Sequence, residues 1–296
     1  MIELGYAAAR RLQKLGLWPR GSLGRRVLVR LTGNRYSVQF EGMAISGSLL
    51  DHFHYLRQLP SGGLHPFHLQ LFKKALAPGM VVVDCGAHIG PYTVLAARAV
   101  GPNGTVVALE PEASNVQALR SNLEANNVAE RVEVIDAAAS DRQGTVRLYV
   151  MEDRASRARS PWESCLSSLV PRAGTAPIEV RCVTLDEVLA GRRIDIAKID
   201  VEGAERLVID GAGETLARSA GATLFIECHP AELERSGTNM PEWLATLRDR
   251  GKLELIDESR ERVVPMDDRE LRRLVTDRPL AFNLRWTVGV PDATSP

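Results

Sequence analysis

Asp84 closes the apolar run Val81-Val82-Val83 and is followed by Cys85-Gly86-Ala87-His88-Ile89-Gly90 before a helical pattern opens at Pro91. A carboxylate at the carboxyl end of a buried strand, then glycines, then a helix, is where open α/β sheets take ligands. Gly86 and Gly90 let the backbone turn tightly and come close to a ligand, and the helix start offers free N–H groups. His88 and Thr93, within and just after this loop, are counted with it as cofactor-binding candidates. The G-x-x-x-G spacing lacks the dinucleotide pattern G-x-G-x-x-G. Twenty residues after Gly90, Glu110 ends a second strand as Val107-Ala108-Leu109-Glu110-Pro111, where a carboxylate accepts both hydroxyls of a ribose. The third strand runs into Asp136-Ala137-Ala138-Ala139-Ser140-Asp141. Its small residues leave room for a purine, and Asp141 is a candidate acceptor for the purine amino group.

A nucleoside ligand of this kind is a nicotinamide dinucleotide or S-adenosylmethionine. None of the five tyrosines has a lysine four residues later, so the Tyr-x-x-x-Lys proton relay of short-chain dehydrogenases is missing. With the dinucleotide glycines also missing, S-adenosylmethionine is favoured. The chemistry is then set where the fourth strand ends, at Lys198-Ile199-Asp200-Val201-Glu202-Gly203. Enzymes that methylate exocyclic amines usually carry Asn or Asp followed by two prolines and an aromatic residue there, so an oxygen nucleophile is the better reading. Asp200 can take or orient the hydroxyl proton. Glu202 has two roles open, at the reaction or as a cap of the next helix. The following strand, Leu224-Phe225-Ile226-Glu227-Cys228-His229, brings Glu227 and His229 to the same edge. There His229 competes with Asp200 as base, or simply hydrogen-bonds in a loop.

The elements that must position these groups follow from hydrophobic period. Strands are predicted at 80–84, 105–110, 131–137, 194–200, 223–227, 252–257 and 282–290, with an extra strand or hairpin arm at 144–150. Helices are predicted at 91–100, 114–126, 204–217 and 241–250, and the Arg-, Ser- and Pro-rich stretch 152–177 reads as a long loop. Strands alternating with helices predict an α/β sheet, with residues 76–296 as the catalytic domain and 1–75 as a helical and extended cap in front of it.

Together, 84–90, Leu109-Glu110-Pro111, Thr184-Leu185-Asp186, Lys198-Ile199-Asp200-Val201-Glu202-Gly203 and Glu227-Cys228-His229 resemble the FkbM family of S-adenosylmethionine-dependent methyltransferases. The resemblance covers about residues 65–290. It implies a class I methyltransferase fold, a Rossmann-like seven-stranded sheet with a reversed last strand that 282–290 would supply. It also implies O-methylation of sugars, polyketides or similar metabolites. His88 stands where the family usually has Asn.

Four of the six histidines, His52, His54, His65 and His68, fall close together. Without a nearby cysteine, and with Phe53, Tyr55, Leu56 and Phe67 between them, they read as a helix and loop covering the active site rather than a metal centre. Asp200 with Glu202 makes a thin ligand set for Mg²⁺, so no metal is expected. Trp162, Ser164, Ser167 and Ser168 lie in the long polar loop, where a mobile loop or a sugar-binding lid would suit them.

Basic and acidic side chains number 37 each, which argues against a protein that coats nucleic acid. The stretch from Met1 to Arg30 nevertheless holds seven basic side chains against Glu3 alone. Leu4, Ala8, Leu12, Leu15 and Trp18 could form the apolar stripe of a basic amphipathic helix, open to acidic lipid, a partner or the chain's own core. No apolar run approaches the roughly 20 residues that span a bilayer. Neither a signal peptide nor a cysteine framework is recognisable (Cys85, Cys165, Cys182 and Cys228 are far apart), which fits a cytoplasmic protein. The leading expectation is an O-methyltransferase acting on a small-molecule or glycan hydroxyl. The rivals are an RNA or protein methyltransferase guided by the basic leader and a non-catalytic S-adenosylmethionine-binding protein.

Overall fold

The computed structural model describes residues 29–30, 33–61, 65–151, 167–168, 171, 175–277 and 279–289. The amphipathic stripe from Leu4 to Trp18, and Trp162, Ser164 and Cys165, lie outside them. From Arg35 the chain runs β1 (Arg35–Phe40), β2 (Met43–Ser48), α1 (Phe53–Leu56), α2 (Pro66–Ala75), β3 (Val81–Cys85), α3 (Pro91–Val100), β4 (Thr105–Leu109) and α4 (Ala113–Ala125). It continues through β5 (Val132–Ile135), β6 (Ala138–Ala139), β7 (Gly144–Met151), β8 (Ser167–Ser168), β9 (Thr175–Val183), α5 (Leu185–Leu189), β10 (Ile196–Ile199), α6 (Glu205–Asp210) and α7 (Gly213–Arg218). It ends with β11 (Thr223–Cys228), α8 (Pro230–Arg235), α9 (Met240–Asp249), β12 (Gly251–Asp257), β13 (Arg262–Pro265), α10 (Asp268–Asp277) and β14 (Phe282–Val288).

The main sheet has the order β13-β12-β14-β11-β10-β3-β4-β5. Neighbours from β11 to β5 pair in parallel, while β14 runs antiparallel between β11 and β12. This is the expected class I methyltransferase sheet with its reversed last strand. It is extended to eight strands rather than seven by β13, which folds back on β12. Central parallel strands are covered on both faces, so they read as continuous apolar runs. Val83, Cys85, Val107 and Leu109 pack with α5 to α9 on one face, and Val82, Val106 and Ala108 pack with α3 and α4 on the other. Pro91 in the first turn and Gly101 at the end delimit α3, whose Val94, Ala96, Ala97 and Val100 are buried.

The β1-β2 hairpin, α1 and α2 join that second face: Phe40, Met43, Ile45, Phe53, Leu56 and Phe72 share a core with Val94 and Leu119. The buried Asn122 fastens the hairpin. Its amide donates to Ser46 O and to Ile89 O in the β3-α3 loop, both at 2.8 Å, and accepts from Ser46 N at 2.9 Å. Glu258, about 190 residues further on, accepts Phe67 N–H at 3.0 Å and His68 N–H at 2.7 Å, docking the start of α2.

Several expected boundaries change. Residues 204–217 form two helices, because Gly211 lies so close to Ser140 that a Cβ there would stand 2.0 Å from its carbonyl oxygen, and the chain turns at this point. The third strand ends at Ile135, and Ala138–Ala139 pairs with β9 in a separate four-stranded sheet of order β6-β9-β7-β8. Of the expected loop 152–177, the described residues include β8 and the start of β9, which pairs with the arm β7 from Thr175 onward, and most of the rest lies outside the described residues. The Thr184-Leu185-Asp186 motif is structural: Thr184 caps α5 through Glu187 N, and Asp186 accepts Glu214 N and Thr215 N at 3.0 and 2.7 Å. Among the described residues no helix is long and apolar enough to cross a membrane.

Candidate functional site

The β3-α3 loop carries the first half of the site. Asp84 is buried, and Thr93, also buried, donates its hydroxyl to Asp84 Oδ2 at 2.6 Å. Burial pushes the Asp84 carboxyl up, against the opposing pull of Lys198 and Thr93. Gly86 (φ +77°) and Gly90 (φ +89°) are left-handed, as their lack of a Cβ allows. A Cβ on Gly86 would meet Asp200 O at 1.9 Å, so this loop rests directly on the end of β10. His88 also takes a left-handed conformation, φ +52°. Its backbone N–H donates to Glu110 Oε2 at 2.8 Å, and its ring meets Tyr55 edge-on with centroids 4.6 Å apart.

Glu110 is buried at the end of β4 and accepts three hydrogen bonds, from His88 N, Glu112 N and Asn115 Nδ2. Burial nonetheless pushes its pKa up to about 7, the three donors working against it. Asn115 is oriented in turn by His52. Ser48 N donates to His52 Nδ1 at 2.9 Å, so the proton lies on Nε2, which donates to Asn115 Oδ1 at 2.9 Å. A chain of buried hydrogen bonds thus runs from the cap to the candidate ribose carboxylate.

The second half of the site lies at the ends of β10 and β11. Their register sets Lys198 beside Asp84 on the neighbouring strand. The buried Lys198 ammonium stands 3.0 Å from Asp200 Oδ2 and 3.8 Å from Asp84 Oδ1. Burial works against its charge, but Asp200 and then Asp84 outweigh it and hold the ammonium above its ordinary pKa. His229 Nε2 lies 3.4 Å from Glu227 Oε1 and 3.7 Å from Glu202 Oε2. Burial opposes a charge on His229 too, yet contact with Glu227 and the charges of Glu202, Glu227 and Asp200 raise its pKa to about 10. His65 Nε2 approaches the same Glu227 oxygen at 3.3 Å. Burial opposes ionisation of Glu227 as well, and the two imidazoles overcome it and hold the carboxyl well below the usual range.

The structure therefore brings Asp84, Gly86, Thr93 and Asp200 into one cluster, with Glu202 and His229 facing each other at its edge. It joins His88 to Glu110 nearby. Two expectations change. Glu202 is not the helix cap: Ala204 occupies that position, and Glu205 accepts Gly203 N at 2.9 Å. Asp141 follows β6 of the second sheet, is exposed, and pairs with Arg142 at 3.1 Å instead of closing a strand of the main sheet. Three of the four clustered histidines meet different partners: His52 Asn115, His65 Glu227, and His68 Tyr92 Oη at 3.1 Å. Lys198 was detectable as a lone charge within an otherwise apolar strand, which demands a partner. His52 and His65 stood out only as members of the histidine cluster, and nothing local marks Asn115 or shows which groups they meet, because those partners lie far along the chain.

The residues present fit S-adenosylmethionine. Asp84 Oδ1 is buried without a hydrogen-bond donor among the described residues, a place for a ligand N–H or O–H. Glu110 accepts three bonds, and a carboxylate has about four acceptor sites.

Residues 84–253 match the family described as the methyltransferase FkbM domain. The chain is 34% identical over 161 residues to the 31-O-demethyl-FK506 methyltransferase FkbM of Streptomyces tacrolimicus, covering 46% of this chain and 60% of that protein. It is 26% identical over 144 residues to Methyltransferase 1 of Beauveria bassiana (strain ARSEF 2860), covering 44% of this chain and 57% of that one. The match thus spans about three fifths of these curated relatives. Among solved structures, a SAM-dependent O-methyltransferase of Thermotoga maritima aligns at 15% identity with a TM-score of 0.43, over 90% of this chain and 83% of that one.

Proposed function

We propose, for a chain that belongs to the FkbM methyltransferase family and whose cofactor is S-adenosylmethionine, that the methyl acceptor is a hydroxyl of a small molecule or glycan. The observation that carries this reading is the cluster of Asp200, Glu202, Glu227 and His229, in contact through Gly86 and Lys198 with the cofactor loop. S-adenosylmethionine supplies a sulfonium methyl group, which an alcohol oxygen takes as it gives up its proton. Thr93 and Lys198 orient Asp84 toward the cofactor, and Glu110, held by His88, Glu112 and Asn115, receives the ribose. Asp200, the most exposed carboxylate of the cluster at 28%, takes the hydroxyl proton, while Lys198 keeps its other oxygen in place. Glu202, Glu227 and His229 orient the acceptor and stabilise the charge that moves.

The test is to incubate the purified chain with S-adenosylmethionine and a panel of hydroxylated sugars and polyketides, following S-adenosylhomocysteine and the methylated atom by mass spectrometry. Asp200→Asn should lower turnover by about 10²-fold or more while keeping cofactor binding, the scale of a lost general base. Methyl groups found on nitrogen, or turnover unchanged in Asp200→Asn, would overturn the reading.

A further inference from the structure

We infer that Asp200, Glu227 and His229 form a site for one divalent transition-metal ion, of the Mn²⁺ to Zn²⁺ class, at the acceptor edge of the sheet. One donor atom from each of the three lies within 4.8 Å of the others. Three observations lead to an ion rather than to a structural ion pair.

The first is spacing. His229 Nε2 and Glu227 Oε1 are 3.4 Å apart, too far for a good hydrogen bond. Two ligand atoms that share one tetrahedral metal ion, each about 2.0–2.1 Å from it, stand close to that distance from one another. Glu202 Oε2, 3.7 Å from the same nitrogen, lies at the border of the same shell. The second is satisfaction. His229 Nε2 is buried and makes no hydrogen bond among the described residues, although three carboxylates surround it. Such an atom needs a ligand.

The third is charge. Asp84, Asp200, Glu202 and Glu227 bring four carboxylates against the Lys198 ammonium and the His229 imidazolium, so about two negative charges remain in a mostly buried group, and an ion would take the place of the His229 proton. A divalent cation in that place reduces the excess, which is otherwise costly. Of the two Asp200 oxygens, Lys198 pairs with Oδ2, leaving the other outside that ion pair. His65 Nε2 lies 3.3 Å from the same Glu227 oxygen that faces His229, so a second imidazole nitrogen stands beside the proposed shell. The donor set mixes an imidazole nitrogen with carboxylates, which suits a first-row transition ion better than Mg²⁺ or Ca²⁺.

The ion's role rests on the O-methyl reading above: with Asp200 engaged as its ligand rather than as the proton acceptor, it would hold the acceptor oxygen and lower the pKa of its hydroxyl, so that the proton passes to water while the O–C bond forms, the S–C bond breaks and S-adenosylhomocysteine leaves. The expected residence of the ion can be read without turnover. The full chain, stripped by chelation, is titrated with Co²⁺ and followed by its visible d–d absorption and by calorimetry. One equivalent should bind with a new visible band. His229→Ala and Asp200→Asn should each weaken binding at least about tenfold, the scale seen even for outer partners, with S-adenosylhomocysteine binding retained as evidence of folding. Absence of stoichiometric Co²⁺ binding by the folded chain, or binding that both variants leave unchanged, overturns the site. Hydroxyl methylation by a chain that binds no ion would discard the site and keep the O-methyl reading. Tight binding that both variants abolish, in a chain that methylates only nitrogen, would do the reverse.

Discussion

Asn115→Leu removes the amide that links the cap to Glu110 while keeping the side chain's volume. The wild-type Glu110 has its pKa pushed up to about 7 by burial, and Asn115 Nδ2 at 3.0 Å is one of three donors that favour its charged form. A hydrogen bond to a charged group contributes about 1.5–3 kcal/mol, or roughly 1–2 pKa units. Glu110 in the variant should therefore titrate near pH 8–9. If the ionised carboxylate is what accepts a ribose hydroxyl, S-adenosylhomocysteine affinity should rise with pH through about 7 in the wild type and through about 8–9 in Asn115→Leu. At pH 7.5 the ionised fraction then falls about 3- to 25-fold, and affinity with it, while at pH 9.5 the two proteins converge to within a few-fold. The variant also removes the Asn115 Oδ1 atom that accepts the His52 Nε2–H bond. This costs about 1–3 kcal/mol and is visible as a lower melting temperature at every pH. Calorimetric binding measured from pH 6 to 9.5 reads both effects. A wild-type affinity flat through pH 7, or a midpoint that Asn115→Leu does not move, would refute the assignment of Glu110 as the ribose acceptor.

Three further outcomes follow from the same geometry. Glu110 and Glu205 both have folded pKa values of about 7 against an ordinary 4.5, so the folded chain holds protons that the unfolded chain releases. Their contribution to stability is greatest below about pH 4.5 and declines as pH rises to about 7, by roughly 3 kcal/mol each. Glu110→Gln should flatten that part of a denaturation-versus-pH curve, and an unchanged slope would contradict the burial argument. Gly86→Ala forces a Cβ to within 1.9 Å of Asp200 O at φ +77°. That substitution should abolish cofactor binding with a loss of more than about 3 kcal/mol in urea unfolding. Near-native stability there would mean that the loop does not rest on β10. Lys198→Met leaves Asp84 and Asp200 facing each other without their cation. It should cost about 3–5 kcal/mol, much of it recovered at low pH where the carboxyls protonate. A pH-independent loss would show that the lysine acts only through packing.

Much of the sheet was legible because its code is local. The valine run of β3, the Leu109-Glu110 end of β4 and the alternation that closes at β14 are all periodic patterns, and the main strands and α3 lie within a few residues of where the patterns place them. Errors fell where a distant contact overrides the pattern: Gly211 meets Ser140 and breaks one helix into two, and Ala138–Ala139 leaves the third strand to pair with β9. The site divides in the same way. Asp84, Glu110, Asp200 and His229 each stand at the end of an apolar strand, so type and position could be read together.

What their neighbours do could not. His52 reaches Asn115 across 63 residues, Glu258 docks α2 across about 190, and His65 meets Glu227 only because that docking sets it there. Residue order carries the strand ends, the glycine loop and the family motifs, because these depend on side-chain period and backbone freedom within a few residues. Which imidazole faces which carboxylate, and that Asp200, Glu227 and His229 converge within 4.8 Å, depends on how strands β10 and β11 pair and how the cap docks on them. Those distances are set by packing across the whole chain, and packing has no local period from which to read it.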